Sequence, residues 1–325
     1  MRILITGAAG MIGVKLARHI ASSGRLGDRE VSALQLTDVV MPAAPPGFSG
    51  AVDATVADLS LPGVAAGLIA KRPDVIFHLA AVVSGEAEAD FEKGYRVNLD
   101  ATRELFEAVR REGLAAPYRP RVVFSSSLAV FGTPLPDTIE DDFLTAPLTS
   151  YGTQKAMGEL LVNDLSRRNI FDGVTIRLPN ICVRPGKPNK AASGFFSSII
   201  REPLSGAEAI LPVADDVRGW HASPRAAVAF LAHAAAIDLS SLGTRRALNM
   251  PGLSVSVGEQ LEALRAVAGD APLKLIRRQP DPTVARIVGG WPRAFRPVRA
   301  QALGFRAEAS FQDIIRIYMQ DELAD

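Results

Sequence analysis

Short runs with apolar residues on consecutive positions alternate with helix-length runs carrying one apolar face, and this alternation restricts the fold more than any other feature of the chain. Residues 2–6, 31–37, 52–56, 75–79, 122–125 and 174–178 are the strand candidates, and 11–23, 61–71, 97–111 and 150–169 the helix candidates. In 11–23, Ile12, Leu16 and Ile20 fall four apart on one helix face. A strand without polar alternation is buried on both faces, which requires a parallel sheet covered by helices on each side. The expected class is α/β, a doubly wound parallel sheet. The pattern breaks up after about Pro179. We therefore expect a doubly wound domain over 1–178 and a smaller C-terminal lobe over 179–325, with some of its segments returning to the first.

The loop between the first strand and the first helix reads Thr6-Gly7-Ala8-Ala9-Gly10-Met11-Ile12-Gly13. Gly7 permits the tight turn, Gly10 lets backbone approach a pyrophosphate, and Gly13 lets the helix pack on the strand. The helix start, Met11 and Ile12 included, then turns free N–H groups and a partial positive charge toward the phosphates. Asp38 ends the second strand, where a carboxylate accepts from both ribose hydroxyls and repels a 2′-phosphate. This favours NAD over NADP, on a Rossmann-type sheet. Asp58 follows the third strand and can accept from the adenine amino group while Leu59 covers the ring. An Asp capping a surface turn reads equally well.

Tyr151 and Lys155 stand at i and i+4, on one helix face. A phenol titrates near ~10; a neighbouring ammonium lowers that value and makes it a usable base. Ser125-Ser126-Ser127 ends a strand at the edge where open α/β sheets bind ligands, so a serine there can orient a substrate oxygen.

Together these residues resemble the extended short-chain dehydrogenase/reductase family, that of the NAD-dependent epimerases and dehydratases. The matches are Thr6 to Gly13, His78-Leu79-Ala80-Ala81, Val97-Asn98-Leu99-Asp100-Ala101-Thr102, Phe124-Ser125-Ser126-Ser127, and Tyr151 with Lys155. The resemblance implies Ser127, Tyr151 and Lys155 as catalytic residues, with Lys155 also on the nicotinamide ribose. It implies Leu79, Ala80 and Ala81 along the cofactor, Asn98 behind it, and Pro179 among the cofactor contacts. Asn98 reads equally as a helix cap.

The second half departs from the sugar-nucleotide members of that family. Arg177-Leu178-Pro179-Asn180-Ile181-Cys182-Val183-Arg184 and Arg218-Gly219-Trp220-His221-Ala222-Ser223-Pro224-Arg225 replace the segments that grip a nucleoside diphosphate, and Phe131 replaces a second tyrosine. The segments Gly132-Thr133-Pro134-Leu135-Pro136-Asp137, Ser193-Gly194-Phe195-Phe196 and Trp220 to Arg225 resemble a subgroup acting on small sugar acids. A carboxylate substrate calls for a guanidinium, which makes Arg184, Arg218 and Arg225 candidates, each of them also readable as a salt-bridged surface arginine. Ser84 and Asn180 are further substrate candidates. His221 reads as structural or substrate-orienting, Trp220 as core and Cys182 as inert packing.

The expected activity is NAD-dependent oxidation of a secondary alcohol of a small aldonate, at C2, to the 2-oxo acid. The competing readings are an NAD-retaining nucleotide-sugar epimerase and a non-catalytic dinucleotide sensor. Thirty-six Lys and Arg against 35 Asp and Glu leave a net charge of +1, too small to draw in nucleic acid or an anionic membrane. The single cysteine excludes an internal disulfide and a multi-cysteine metal site, and no metal is expected. The opening MRILITGAAG has no signal-peptide pattern, so a cytoplasmic enzyme is expected. It is expected to be a homodimer, because the family pairs subunits through the helices 97–111 and 150–169.

Overall fold

The computed structural model describes residues 1–186 and 193–323. The chain forms two compact units. The first takes Met1–Val130, Thr149–Arg177 and Val228–Leu248; the second takes Phe131–Leu148 and the described residues of Leu178–Ala227 and Asn249–Asp325.

The first unit is built on β1 (Arg2–Thr6), β2 (Ala33–Asp38), β3 (Ala51–Val56), β4 (Val75–His78), β5 (Arg121–Ser127), β6 (Asp172–Leu178) and β7 (Ala247–Asn249). Their order in the sheet is β7-β6-β5-β4-β1-β2-β3. The chain thus grows outward from β1 in one direction and then from β4 in the other. The pairs β1–β2, β1–β4, β2–β3 and β4–β5 are all parallel. Thr6 pairs with Thr37 and with His78, and His78 pairs with Phe124, so the carboxyl ends lie level. The reversal between β1 and β4 opens the crevice in which such sheets bind ligands. Ile3, Leu4 and Ile5 are fully buried, as a strand covered on both faces requires.

Four helices matter to the site: α1 (Met11–Ser23), α2 (Val64–Ile69), α3 (Ala101–Ala115) and α4 (Ser150–Arg167). α1 stops at Gly24, whose left-handed backbone closes the last turn with a bond to the Ile20 carbonyl. α4 is capped by Thr149, whose hydroxyl oxygen accepts from the Gly152 N–H at 3.1 Å. That cap sets Tyr151 in the first turn and Lys155 one turn further on.

Four elements differ from the expectation. The run 61–71 shortens to α2, because Gly63 precedes it at φ +82° and Leu61 is tied into a turn on the Asp58 carbonyl. The run 97–111 is divided: a widened π turn, Arg96–Asp100, leads into α3. Two short helices, Ser84–Ala89 and Phe91–Tyr95, precede it and have no apolar periodicity to announce them.

The second unit holds a three-stranded sheet of Asn180–Ile181, Arg218–Ala222 and Leu253–Ser256, with Arg218–Ala222 central. The helices Gly194–Leu204, Val257–Ala268 and Phe311–Glu322 build its core around Phe196, Ile199, Leu211, Leu264 and Ile314. Ser256 and Glu259 form a reciprocal capping box at the start of Val257–Ala268.

Candidate active site

The glycine loop is held at close quarters. A Cβ on Gly7 would lie 2.7 Å from the Ala80 nitrogen, and one on Gly13 would lie 2.2 Å from the Gly7 carbonyl oxygen. Bare α-carbons are therefore required where the loop crosses Leu79–Ala80 and where α1 packs against it. At Gly10 the nearest atom to a Cβ is the Gly7 oxygen at 3.3 Å, and that residue is exposed. Gly10 caps α1 without a side-chain bond, and the first turn contains no acidic residue. The N–H groups of Met11, Ile12 and Gly13 stay available to an anion. Asp38 is fixed at the end of β2, where its carboxylate accepts from Ala9 N at 3.0 Å and Val39 N at 2.7 Å. The cradle, its anion-binding helix start and the carboxylate beside it fit a dinucleotide carrying a free ribose diol.

Asp58 closes a turn, accepting from the Ser60 N–H at 2.9 Å and the Ser60 hydroxyl at 2.7 Å through Oδ1. Leu59 is buried in the hydrophobic cluster of the first unit. Asn98 is buried and does not cap a helix. Its Oδ1 accepts from Val82 N at 2.9 Å, while Nδ2 donates to Val82 O at 3.1 Å and to Gln154 Oε1 at 2.8 Å. It braces the segment after β4 against α4, and the π turn carries its side chain to that position.

A buried imidazole links these parts. The Thr102 hydroxyl donates to the Asn98 carbonyl at 2.8 Å and so has only its lone pairs left for His78 Nε2, 2.8 Å away. His78 therefore carries its proton on Nε2, and Nδ1 accepts from the Thr6 hydroxyl at 2.7 Å. The Thr6 oxygen in turn accepts from Ala80 N at 3.4 Å. Burial first, and the Lys155 charge second, push the imidazole down to about 3, so it is neutral. One ring thus ties the first residue of the glycine loop to the segment after β4 and to Asn98.

The three serines at the end of β5 are distinguished by their partners. Ser125 donates to the His78 carbonyl at 3.1 Å, and Ser126 donates to Glu159 at 2.6 Å. The Ser127 oxygen accepts from Ala129 N at 3.2 Å, which leaves its own proton to give. Lys155 is buried, donates to the Ser125 carbonyl at 2.9 Å, and lies 4.9 Å from the Phe124 ring centre and 5.8 Å from that of Tyr151. Burial lowers its pKa to about 8, against the upward pull of Glu159. Tyr151 is half-buried.

Ser84 opens the helix Ser84–Ala89 in the first unit. The other substrate candidates belong to the second unit. Arg184 donates to the Ile181 carbonyl at 2.9 Å and to Ser193 at 3.4 Å. Arg218 pairs with Glu259 at 3.0 Å, and exposed Arg225 pairs with Asp321 at 2.5 Å. Asn180 is half-buried at the start of its strand, and Pro179 is buried. A Cβ on Gly219 would meet His221 Nε2 at 2.7 Å and Asn180 Nδ2 at 3.3 Å, so the two side chains share the space that Gly219 leaves. His221 Nε2 lies 3.0 Å from Gln260 Nε2, and burial pushes the imidazole down to about 3. Trp220 is buried and donates to the Met250 carbonyl at 3.0 Å; Cys182 is buried, with its thiol pushed up to about 12. Among the described residues no cluster of His, Cys, Asp and Glu could hold a metal ion.

Residues 3–238 match the NAD dependent epimerase/dehydratase family. The chain belongs to this family. Its cofactor is NAD, in keeping with the cradle around Gly7 and the carboxylate of Asp38. The chain is 50% identical over 326 residues to a D-erythronate dehydrogenase of Cupriavidus necator, covering 99% of this chain and 98% of the relative. It is 42% identical to a D-erythronate dehydrogenase of Haemophilus influenzae, covering 99% of this chain and all of the relative. Among solved structures it resembles one described as the nucleoside-diphosphate-sugar epimerase from Agrobacterium tumefaciens. That likeness has a TM-score of 0.97 and 60% identity, over 99% of this chain and 94% of the other. These relatives agree on the family and on the Rossmann-type sheet, and they carry two different activities.

The role of His78 in this site, and those of Thr6, Thr102, Glu159 and Arg177, were not assigned from sequence. Only Glu159 had a local signal, standing four residues after Lys155 on the same helix face.

Proposed function

We propose that the protein is an NAD-dependent dehydrogenase that oxidises a small aldonate of the D-erythronate type, at the C2 alcohol, to the 2-oxo acid. The observation that carries this reading is near-full-length identity, at 50% and 42%, to two enzymes with that name.

In this reading NAD, when bound, supplies the hydride acceptor. The Tyr151 phenolate takes the proton of the substrate hydroxyl. The Lys155 ammonium favours the ionised phenol, and its carbonyl partner on Ser125 keeps it turned toward the end of β5. Ser127 donates its remaining proton to the reacting oxygen. The backbone of Gly10, Met11, Ile12 and Gly13 takes the pyrophosphate, and Asp38 the adenosine ribose. Leu79, Ala80 and Ala81 line the cofactor, braced by Asn98. Asp58, Leu59 and Pro179 complete the cofactor contacts in this assignment, and Ser84 and Asn180 the polar contacts to substrate hydroxyls. The substrate carboxylate falls in this assignment to the guanidinium groups of the second unit, Arg184, Arg218 and Arg225.

The same proposal includes a homodimer paired through α3, α4 and the short helix before them. Phe91, Leu114 and Leu160 support it, at 60%, 74% and 65% exposed on those helices. It also includes a cytoplasmic location, with access to an exchanging NAD pool. No helix among the described residues is long and apolar enough to cross a membrane.

The second reading is an epimerase that retains NAD and acts on a nucleoside-diphosphate sugar, favoured by the name of the 60%-identical structure. A panel of C4 to C6 aldonates and nucleotide sugars, each with NAD and with NADP, separates the two. Net accumulation of NADH with an aldonate is the expected outcome. Turnover of nucleotide sugars alone, without added NAD, overturns the proposal.

A further inference from the structure

The buried surroundings of Lys155 contain a charged pair that the chemistry above leaves unused. Glu159 lies one helical turn beyond Lys155 on α4 and is 3% exposed. Arg177, on β6 and 8% exposed, grips that carboxylate with two of its nitrogens: Nε donates to Oε1 at 2.9 Å and Nη2 to Oε2 at 2.7 Å. Ser126, on β5, donates to Oε1 at 2.6 Å. Three elements thus fix one carboxylate in one orientation, one helical turn along α4 from the lysine. We propose that Glu159 is a positioning residue of the proton-transfer site. It acts through Lys155, holding the lysine in its charged form, while Arg177 and Ser126 fix the orientation of Glu159 and Arg177 draws off part of its charge.

The case rests on which charges face the lysine. On α4 these are Tyr151 and Glu159. β5 offers the Ser125 carbonyl and the Phe124 ring. From β4 comes His78, which is neutral and adds no charge. From β6 comes Arg177, whose positive charge is spent on Glu159. Burial alone favours a neutral amine, since no water solvates the ammonium. Glu159 is the one anion among these groups that opposes burial while the phenol is still protonated, and Lys155 already sits at about 8 with it present. A neutral Lys155 could no longer stabilise the Tyr151 phenolate. Arg177 has the opposite influence: without it, Glu159 turns its whole charge on Lys155. A residue pair that only held α4 against the sheet would destabilise the fold from either side and would not produce effects of opposite sign.

The inference rests on the catalytic assignment of Lys155, so its test reads the lysine directly. The full-length enzyme without NAD is labelled competitively with acetic anhydride across a pH series, and acetylation of Lys155 is followed by peptide mass spectrometry. The midpoint gives the charge state with no turnover required. Glu159→Gln is expected to lower the midpoint by at least about one pH unit, and Arg177→Met to raise it. Glu159→Gln leaves the Arg177 guanidinium buried without its partner. The double variant Glu159→Gln with Arg177→Met removes the pair together, and its midpoint is expected between those of Glu159→Gln and the wild type. Arg177→Lys is expected to restore the wild-type midpoint. With an active substrate in hand, the alkaline limb of kcat moves in the same directions while KM for NAD stays constant. Midpoints that stay fixed, or that move the same way in both single variants, overturn the proposal. If the midpoints diverge as expected but no aldonate is oxidised, the functional reading fails and this one stands.

Discussion

Alanine at Gly13 separates a glycine needed for close packing from one that is merely present. A Cβ there would lie 2.2 Å from the Gly7 oxygen, 2.7 Å from the Ala8 α-carbon and 3.0 Å from the Ala8 carbonyl carbon. All three are backbone atoms, so no rotamer change relieves the contact. Bringing the closest pair out to 3.0 Å requires α1 and the loop to separate by about 0.8 Å. Gly7 cannot retreat far on its side-chain side, because Leu79–Ala80 backbone fills the space where a Cβ would stand. The displacement therefore falls on the start of α1 and on Ala9, whose bond to Asp38 is already 3.0 Å long. Overpacking of this kind costs about 1–3 kcal/mol of stability. Losing one well-aligned bond to a charged phosphate costs about 1.5–3 kcal/mol more in binding, roughly a 10- to 100-fold weaker NAD complex.

Gly67 provides the comparison. It lies within α2, and nothing stands within 4 Å of a Cβ built on it. Alanine there gains helix propensity, up to about 1 kcal/mol, and leaves NAD binding alone. Titration calorimetry with NAD and urea denaturation of both variants give the two quantities. If Gly13→Ala binds NAD within about threefold of wild type, or if Gly67→Ala loses as much affinity, the close-approach argument is wrong.

Replacing Asp38 with Ala removes the carboxylate that the proposal assigns to the adenosine ribose; kcat/KM for NAD over NADP is expected to fall by roughly tenfold or more, the equivalent of one charged hydrogen bond, and an unchanged ratio refutes the role of Asp38. Tyr151→Phe is expected to lower kcat by about 10²–10⁴-fold while the NAD dissociation constant, read by calorimetry, stays the same; undiminished turnover would leave the phenol without a catalytic part. His78 and His221 are held neutral, burial pushing each from 6.5 to about 3, so the unfolded chain takes up protons below 6.5 that the folded one refuses. Stability is then fully present above 6.5 and falls as pH drops toward 3, by about 1.4 kcal/mol per pH unit for each histidine; urea midpoints that stay flat between pH 7 and pH 4.5 contradict this. Asp172 bridges Arg121 at 2.8 Å and Arg246 at 3.1 Å, while Arg121 also donates to the Ala234 and Ile237 carbonyls at the end of a helix. Asp172→Asn is expected to cost somewhat less than the roughly 3–5 kcal/mol of a fully buried pair, because the carboxylate is 27% exposed; a urea midpoint unchanged from wild type counts against the bridge.

Local rules are enough to read the sheet from the sequence, because Ile3 to Ile5 and Val75 to Phe77 need only be apolar on both faces to demand helices above and below. They are enough for the glycine loop and for Tyr151 with Lys155, where spacing alone sets the geometry. They fail where the partner is distant in the chain. Thr6 and His78 are 72 residues apart, and Arg177 reaches Glu159 across 18. Segment 131–148 falls within the expected first domain, 1–178, yet Phe131–Leu148 packs with the second unit, where Phe131 meets Phe143 and Phe295. The strands nevertheless carry a mark of their buried networks. Thr6, His78, Ser125, Ser126 and Arg177 are among the polar residues that interrupt apolar strands at their carboxyl ends, and each of these five is buried and bonded. Such a residue costs stability unless it is satisfied. Its satisfaction here joins the glycine loop to His78, the sheet edge to Lys155, and Glu159 to Arg177. The departures from simple strand patterning thus converge on one edge of the sheet, and there the proposed chemistry needs groups that cannot drift.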